Sequence, residues 1–279
     1  MTSEFPLVTI ITPVYNGAKY IEELILSVKT QYYPNIEHII IDDGSNDGGA
    51  TIAILKRYSH LRWWSRENRG RFATMNEGLE AARGEYVCFI SADDLIMTGA
   101  VQSVIKTFQE NPDYDGVAGL THFITGDSLP YPIKFPFQTA PIRYYAFFSH
   151  IAHCSLYLCR ERLFKDDLLF DPSFRYVGDY DWLLRVFAKF RIYRTKLYLS
   201  KFRIHTEQTS IRDKQAMDEE HRRVVASHHI NKLSYKCFTW LYIGIHDMEK
   251  MRYAWTQKGF AGVYRLFVDH ILRNKRIPA

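Results

Sequence analysis

The most informative segment of this sequence is Gly84-Glu85-Tyr86-Val87-Cys88-Phe89-Ile90-Ser91-Ala92-Asp93-Asp94. Its apolar run, Tyr86 to Ile90, has the length and the aromatic and β-branched content of a strand that is buried on both faces. Residues 72–83 repeat apolar side chains at helical spacing, and Gly84 is the type of residue that ends a helix at the C′ position. A helix, a glycine and a buried strand form half of a βαβ unit, so the segment predicts a parallel sheet.

Two adjacent carboxylates, Asp93 and Asp94, follow this strand. Open α/β sheets bind their ligands just beyond the carboxyl ends of the parallel strands. Two neighbouring negative charges repel each other unless a cation or hydrogen bonds compensate them. Because Mg²⁺ and Mn²⁺ prefer carboxylate oxygens and also bind phosphates, the pair predicts a metal–diphosphate site.

The rest of the chain extends the same pattern. Amphipathic helices alternate with apolar runs that predict strands at Leu7–Thr12, His38–Ile41, Leu61–Ser65 and Val117–Ile124, which favours an α/β fold with a mixed, mainly parallel sheet. Residues 125–142 contain four prolines and no periodicity, which predicts a long loop. The second half predicts a strand at Cys154–Cys159, a helix at Asp179–Lys189, an extended segment at Ile192–Phe202 and helices beyond His205.

Composition excludes several classes of protein. With 47% hydrophobic and 24% charged residues, the chain is typical of a globular protein. No secretory signal is visible near Met1, and no apolar stretch approaches the roughly 20 residues of a membrane span. The four cysteines are scattered without a CxxC pair, so we expect reduced thiols in a cytoplasmic protein.

The last part of the chain differs in charge. Residues 1–200 carry 21 basic and 23 acidic side chains, whereas residues 201–279 carry 15 and 8. Two apolar blocks, 238–245 and 264–272, are interleaved with these basic residues, as in helices that lie at a membrane interface. Packing against the rest of the chain or against a second subunit explains the blocks equally well. No nucleic-acid-binding motif accompanies the basic residues.

Polar side chains follow three of the expected strands: Asn16 after the first, Asp42 and Asp43 after the second, and the acids of the opening segment after the fourth. In a parallel sheet these strand ends lie at one edge. The sequence has neither GxGxxG after a strand nor GxxxxGK[ST], so a glycine-rich phosphate cradle is not expected. A metal on Asp94, with Arg69 or Arg71 nearby, would neutralise a diphosphate instead.

Seven motifs in order resemble the family-2 inverting glycosyltransferases, which have the GT-A fold and use nucleotide-sugar donors. They are Pro13-Val14-Tyr15-Asn16, Asp42-Asp43-Gly44-Ser45, Asn68-Arg69-Gly70, Asn76-Glu77-Gly78, Ala92-Asp93-Asp94, Gly178-Asp179-Tyr180-Asp181-Trp182 and Arg203-Ile204-His205. The resemblance covers residues 5–212. Within it we expect a nucleotide-binding half, 5–124, and an acceptor-side half, 125–212, in a catalytic domain of residues 1–212. Residues 213–279 would form a helical, basic and aromatic extension.

The resemblance implies roles for individual residues. Nucleotide contacts would come from Pro13, Val14, Tyr15, Asn16, Asp43, Arg69, Arg71 and Asp93. Asp94, Asp93 and His205 would hold Mn²⁺ or Mg²⁺, and Asp179 would be the catalytic base. One departure is Ser91, because the family often has an aspartate there; metal binding would then be weaker, or Asp93 would contact the ribose.

Several residues keep two interpretations. Asp179 precedes an apolar helix, so it is either the base or an N-cap residue. Asp181 is a second candidate for the base or a first-turn residue that suits the helix dipole. On the acceptor side His153 either contacts the acceptor or is simply buried, and Trp182 either stacks on a sugar or packs in the core.

The sequence therefore predicts a transferase that moves a sugar from a nucleotide donor, a UDP-sugar, with inversion onto a glycan or lipid-linked acceptor of a surface polysaccharide or glycolipid. It would be cytoplasmic and peripheral at the inner face of the cell membrane. The alternative hypothesis is a non-catalytic nucleotide-sugar-binding module. The extension could also pair with that of a second copy of the chain and form a homodimer.

Overall fold

The computed structural model describes residues 4–132, 138–148, 151–208 and 213–231, with single positions and short stretches between 233 and 256. The strands are β1 Val8–Val14, β2 Ile36–Asp42, β3 Arg62–Ser65, β4 Tyr86–Phe89, β5 Leu95–Ile96, β6 Gly116–Thr125, β7 Leu156–Cys159 and β8 Ile192–Ile204. The helices are α1 Ile21–Lys29, α2 Ala50–Leu55, α3 Arg71–Ala81, α4 Ala100–Glu110, α5 Tyr145–Phe148, α6 Arg160–Lys165, α7 Gly178–Lys189 and α8 Lys214–Ser227.

All eight strands belong to one sheet, in the order β3-β2-β1-β4-β7-β6-β8-β5. The first four are parallel, which confirms the expected βαβ units. β7 runs antiparallel to both β4 and β6, so the sheet becomes mixed where the helix–strand alternation of the sequence stops. β6 and β8 are again parallel, and the short β5 pairs antiparallel with the far end of β8.

The register of the parallel strands sets the position of the site. Ile11 of β1 pairs with Ile39 on one side and with Phe89 on the other. Because β2 and β4 flank β1 in the same direction, their carboxyl ends meet at one edge of the sheet. This edge carries Asp43 directly after β2 and the segment 91–94 directly after β4.

The sheet is covered on both faces, as the apolar run in β4 predicts. Successive residues of a strand point to opposite faces. Ile10 accordingly packs with α1 and α4, whereas Ile11 packs with α3 and α7. The aromatic side chains Phe89, Phe170 and Trp182 fill the second of these layers, with Phe170 stacked on Trp182 at a ring-centre distance of 4.2 Å.

The role expected for Gly84 is wrong. α3 ends at Ala81, and Ala82 after it is already extended, so Gly84 does not occupy a left-handed C′ position. A Cβ at this residue would instead lie 2.6 Å from the backbone nitrogen of Thr9 and 2.9 Å from the carbonyl oxygen of Leu7. Glycine is needed here because the chain passes against the backbone at the start of β1.

Other boundaries shift by a few residues. The expected strand at Cys154–Cys159 begins only at Leu156, because His153–Ser155 forms a 3₁₀ turn. The first helix beyond His205 is confirmed as α8. The apolar block at 264–272 and much of the block at 238–245 lie outside the described residues. No helix in the described part of the chain is long and apolar enough to cross a membrane.

We expect Gly84→Ala to lower the free energy of unfolding by about 1–3 kcal/mol, the usual cost of an overpacked interior site. The added methyl would meet backbone atoms of β1, which cannot rotate away. Urea denaturation measures the change. Gly244→Ala is the matched control, since a Cβ there meets nothing within 4 Å. Equal stability of the two variants would contradict the close approach.

Candidate active site

The end of β1 brings one exposed aromatic side chain to the edge of the sheet. Pro13 and Val14 are the last residues of β1, and Val14 is buried, so its side chain is not available to a ligand. Tyr15 follows directly and is 49% exposed. Of these three predicted nucleotide-binding residues, Tyr15 therefore has the most exposed side chain, and Pro13 is half-buried.

Asn16 ties this loop to the loop that follows β2. Its amide exchanges two hydrogen bonds with Asn46: Nδ2 donates to Oδ1 of Asn46 at 2.7 Å, and the backbone nitrogen of Asn46 donates to Oδ1 of Asn16 at 2.8 Å. The backbone nitrogen of Asn16 donates to Oγ of Ser45 at 2.7 Å. The two predicted nucleotide-binding loops thus form one wall.

Asp43 fixes the loop that leads into α3. Its Oδ1 accepts hydrogen bonds from the backbone nitrogen of Arg69, at 2.8 Å, and from the guanidinium of Arg66, and its Oδ2 accepts from the nitrogen of Gly70 at 3.1 Å. An ionised carboxylate has about four acceptor positions, so one remains for a ligand. Arg69 contributes its backbone here and leaves its side chain exposed.

Asp93 and His205 face each other beyond β4 and β8. Oδ2 of Asp93 lies 3.1 Å from Nε2 of His205. Burial opposes ionisation of Asp93, but the hydrogen bond with His205 and the charges of His205 and Arg71 hold its pKa below the usual value. The carboxylate is thus ionised beside an imidazole nitrogen.

Asp94 has the opposite environment. It is 1% exposed, its Oδ1 accepts from the backbone nitrogen of Arg203 at 2.9 Å, and its Oδ2 has no hydrogen-bond partner among the described residues. Burial and the neighbouring charge of Asp93 raise the pKa of Asp94 well above its usual range. Asp94 is therefore enclosed by protein, and its role as a metal ligand stays a prediction.

The pair of Asp93 and His205 does fit a divalent cation. No group of three or more His, Cys, Asp or Glu side chains in the described part of the chain is arranged around a common ion position. Ions that act on phosphates are commonly held by one or two protein ligands, with phosphate oxygens and water completing the shell. An oxygen and a nitrogen donor at this edge suit Mn²⁺, and the carboxylate suits Mg²⁺.

Arg203 is a site residue whose role sequence reasoning missed. Its side chain is fully buried; Nε donates to the carbonyl oxygen of Asp93 at 2.7 Å, and Nη2 forms a 2.6 Å ion pair with Glu23. Nη1 donates to Oγ of Ser128 at 2.7 Å, and the guanidinium lies over the ring of Tyr20. Arg203 thus fixes the backbone at Asp93. Its place two residues before His205 was the available signal.

Asp179 lies across the site, in the first turn of α7. The helix begins at Gly178 and its N-cap residue is Val177, so the N-cap interpretation of Asp179 is wrong. Oδ1 of Asp179 accepts from the backbone nitrogen of Tyr180 at 2.9 Å. Oδ2 lies 3.7 Å from Nη2 of Arg71.

His153 connects the two sides. Its Nε2 lies 3.3 Å from Nη2 of Arg71 and 3.3 Å from Oγ of Ser91, and its Nδ1 lies 3.6 Å from Oδ2 of Asp179. Burial, and then the charge of Arg71, lower the pKa of His153 to about 4, so the ring is neutral at pH 7. Because an arginine only donates, Nε2 accepts and the proton resides on Nδ1, facing Asp179.

Two residues that were expected on the acceptor side have their side chains engaged by other partners. Trp182 is 1% exposed, stacks on Phe170, and donates from Nε1 to the carbonyl oxygen of Leu168 at 2.8 Å. Stacking of Trp182 on a sugar is therefore wrong. Asp181 accepts from Arg185 at 2.9 Å with Oδ2 and lies 2.8 Å from Nε2 of His228 with Oδ1, so both of its oxygens are engaged away from Asp179.

The sheet and its polar carboxyl edge are those of a GT-A glycosyltransferase. The model of Glycosyl transferase family 2 matches residues 9–168, and the chain belongs to this family. An uncharacterized glycosyltransferase of Rickettsia bellii is 33% identical over 223 residues, which are 75% of this chain and 31% of the relative. The uncharacterized glycosyltransferase EpsJ of Bacillus subtilis is 30% identical over 230 residues, 77% of this chain and 66% of the relative. The first of these relatives is much longer than the part this chain matches.

Solved structures share the fold at low identity. TarS 1–349 of S. aureus, crystallised with UDP, has a TM-score of 0.62 at 19% identity, covering 90% of this chain and 75% of that chain. The mannosyltransferase PcManGT of Pyrobaculum calidifontis, in complex with GDP-Man and Mn²⁺, has a TM-score of 0.59 at 17% identity, covering 97% and 81%.

We expect Arg203→Met to lower the free energy of unfolding by about 3 kcal/mol, because it removes a buried guanidinium and leaves carbonyl oxygens and a hydroxyl without their donor. Arg57→Met is the matched control: it breaks the Arg57–Glu22 ion pair, whose side chains are 54% and 40% exposed. Such a pair contributes under about 1 kcal/mol. Denaturant titration compares the two variants. An equally small loss of unfolding free energy in both would show that Arg203 does not stabilise the fold.

Proposed function

We propose that this chain transfers a single sugar from a nucleoside-diphosphate-sugar donor, a UDP-sugar, with inversion onto a hydroxyl of a glycan or lipid-linked acceptor. One observation carries the proposal: Asp93, in contact with His205, and the carboxylate of Asp179 border one polar cluster, joined by Ser91, His153 and Arg71. One side can hold a leaving diphosphate, and the other can hold an acceptor hydroxyl.

On the donor side the chain supplies an aromatic side chain, one remaining carboxylate acceptor position and two cation ligands. Tyr15 suits stacking on a base, Asp43 accepts a hydrogen bond from it, and Arg69 and Arg71 bring positive charge to the phosphates. Asp93 and His205 would hold Mn²⁺ or Mg²⁺, which would supply positive charge to the departing nucleoside diphosphate. TarS of S. aureus has been solved with UDP and with UDP-GlcNAc, and PcManGT with GDP-Man, which supports a nucleotide-sugar donor.

On the acceptor side Asp179 is the proposed base. Its Oδ1 is engaged by the backbone, and Oδ2 has ion-pair neighbours but no closer partner. Oδ2 takes the proton of the acceptor hydroxyl while the acceptor oxygen forms a bond to the anomeric carbon. The bond from that carbon to the phosphate oxygen breaks in the same step, and a single displacement inverts the anomeric configuration. His153, with its proton on Nδ1, and Arg71 keep the carboxylate oriented.

We propose further that the enzyme is cytoplasmic and that its basic extension contacts an anionic membrane surface, where a lipid-linked acceptor would be found. Among the described residues of the extension, Leu233 is 73% exposed and Trp240 is 82% exposed. Exposed apolar side chains in a basic helical region favour an interfacial position. A second copy of this chain is the competing occupant.

We expect Asp179→Asn to lower kcat of transfer by about 10²–10⁴-fold, the usual contribution of a general base, while the Kd for UDP stays within about twofold. Product release assays and calorimetry measure the two quantities, and proton NMR of the product reports its anomeric configuration. Asp113→Asn is the control and should retain transfer, because Asp113 is exposed in the turn before β6. Full activity of Asp179→Asn would refute the base assignment. UDP binding without turnover of any donor in the native chain would favour the non-catalytic alternative.

For the extension, we expect Trp240→Ser to reduce co-sedimentation with vesicles of anionic phospholipid, with little binding of any variant to neutral phosphatidylcholine vesicles. Tyr32→Ser is the control, because Tyr32 is 75% exposed but lies far from the extension in sequence. Unchanged sedimentation of Trp240→Ser, or a shift in oligomeric state by light scattering instead, would contradict membrane contact.

A further inference from the structure

The chain enters the helix that carries Asp179 through residues 175–177. Their backbone N–H groups precede the first turn of α7, whose N-cap residue is Val177. Buried or half-buried backbone N–H groups need an acceptor. The side chain of Val177 has none, so this segment takes its acceptor from another element of the chain.

Glu220 of α8 supplies this acceptor. Its Oε1 accepts from the backbone nitrogen of Arg175 at 2.8 Å, and its Oε2 accepts from the nitrogens of Tyr176, at 2.8 Å, and Val177, at 3.1 Å. Hydrogen bonds to an ionised acceptor are about twice as strong as neutral ones. The negative charge also lies at the positive end of the α7 dipole.

Two further contacts join α8 and its end to the first turn of α7. The ring of Tyr180 stacks on His221 with ring centres 4.5 Å apart and an angle of 11° between the planes. His228, directly after α8, lies 2.8 Å from Oδ1 of Asp181. Residues on both sides of Asp179 are thus held by one element that follows residue 212.

We propose that Glu220 is a positioning residue for the transfer step: by holding the backbone of residues 175–177, it fixes Asp179 against Arg71 and the acceptor hydroxyl. This inference rests on the proposed role of Asp179 as the base. It also makes α8 part of the catalytic unit, although the resemblance ended at residue 212 and assigned α8 to an appended extension. A displacement of about 1 Å in a reacting group can cost about 100-fold in rate.

The test compares Glu220→Ala, Glu220→Gln and the control Glu219→Ala in the full chain. Glu219 is the neighbouring, exposed acid of the same helix, so its removal changes charge and helix propensity in the same way. We expect Glu220→Ala to lower kcat of transfer by about 10- to 100-fold with KM for the donor and Kd for UDP unchanged. Glu220→Gln keeps one acceptor oxygen for Tyr176 and Val177 and should show an intermediate loss with a native melting temperature. Glu219→Ala should match the native enzyme.

The same substitutions in the Asp179→Asn background separate positioning from general damage. If Glu220 acts through Asp179, Glu220→Ala causes no further loss of kcat once the base is gone, because the two changes remove one function. A further loss of the same size in that background would overturn the inference. If Asp179→Asn is inactive while Glu220→Ala behaves like Glu219→Ala, the inference fails and the proposed base stands. Full transfer by Asp179→Asn would reject the proposed base itself.

Discussion

The parallel pairing of β1 with β2 and β4 is the constraint on which the site depends. It places the carboxyl ends of three strands at one edge, and each strand is followed there by polar residues rather than by another apolar turn. The edge is then locked from both sides. Asn16 and Asn46 join the loops after β1 and β2, and Asp43 anchors the loop between β3 and α3 through backbone N–H groups. Arg203 of β8 donates to the carbonyl oxygen of Asp93 in the loop after β4. A ligand-binding wall is thereby held by the core of the sheet.

The two neighbouring acids show how this scaffold separates like charges. Asp93 is stabilised as an anion by His205 and Arg71, whereas Asp94 is buried on the backbone of β8 and favours its neutral form. Asp93 remains charged at the edge of the sheet, and Asp94 joins the end of β4 to the backbone of β8. The raised pKa of Asp94 and the lowered pKa of Asp93 reduce the repulsion between the two carboxylates and leave the negative charge on Asp93.

Much of the fold could be predicted from local patterns, because each βαβ unit has its own apolar periodicity and its own terminal polar residues. The antiparallel strand β7 and the two-residue β5 could not, since their pairing depends on residues far away in sequence. Site residues likewise divide into those that local sequence indicates and those that depend on distant partners. The motifs are enough to predict Asp93, Asp179 and His205 as candidate site residues, but adjacent residues cannot reveal which acid of a pair is buried. Gly84 was misassigned because the backbone of Thr9 that it approaches belongs to another strand. The same dependence on distant partners left two interpretations open for Trp182 and Asp181, which the structure resolves as core packing on Phe170 and a first-turn position beside His228.

We propose that Asp93, rather than the buried Asp94, holds the divalent ion on the donor diphosphate. Isothermal titration calorimetry of UDP, with and without Mn²⁺, on the native chain, Asp93→Asn and Asp94→Asn tests it most directly. Asparagine at 94 retains an oxygen for the backbone nitrogen of Arg203, so the fold around it is preserved. We expect Mn²⁺ to raise the affinity for UDP in the native chain and in Asp94→Asn but not in Asp93→Asn. Loss of the Mn²⁺ effect in Asp94→Asn, with the effect intact in Asp93→Asn, would contradict it.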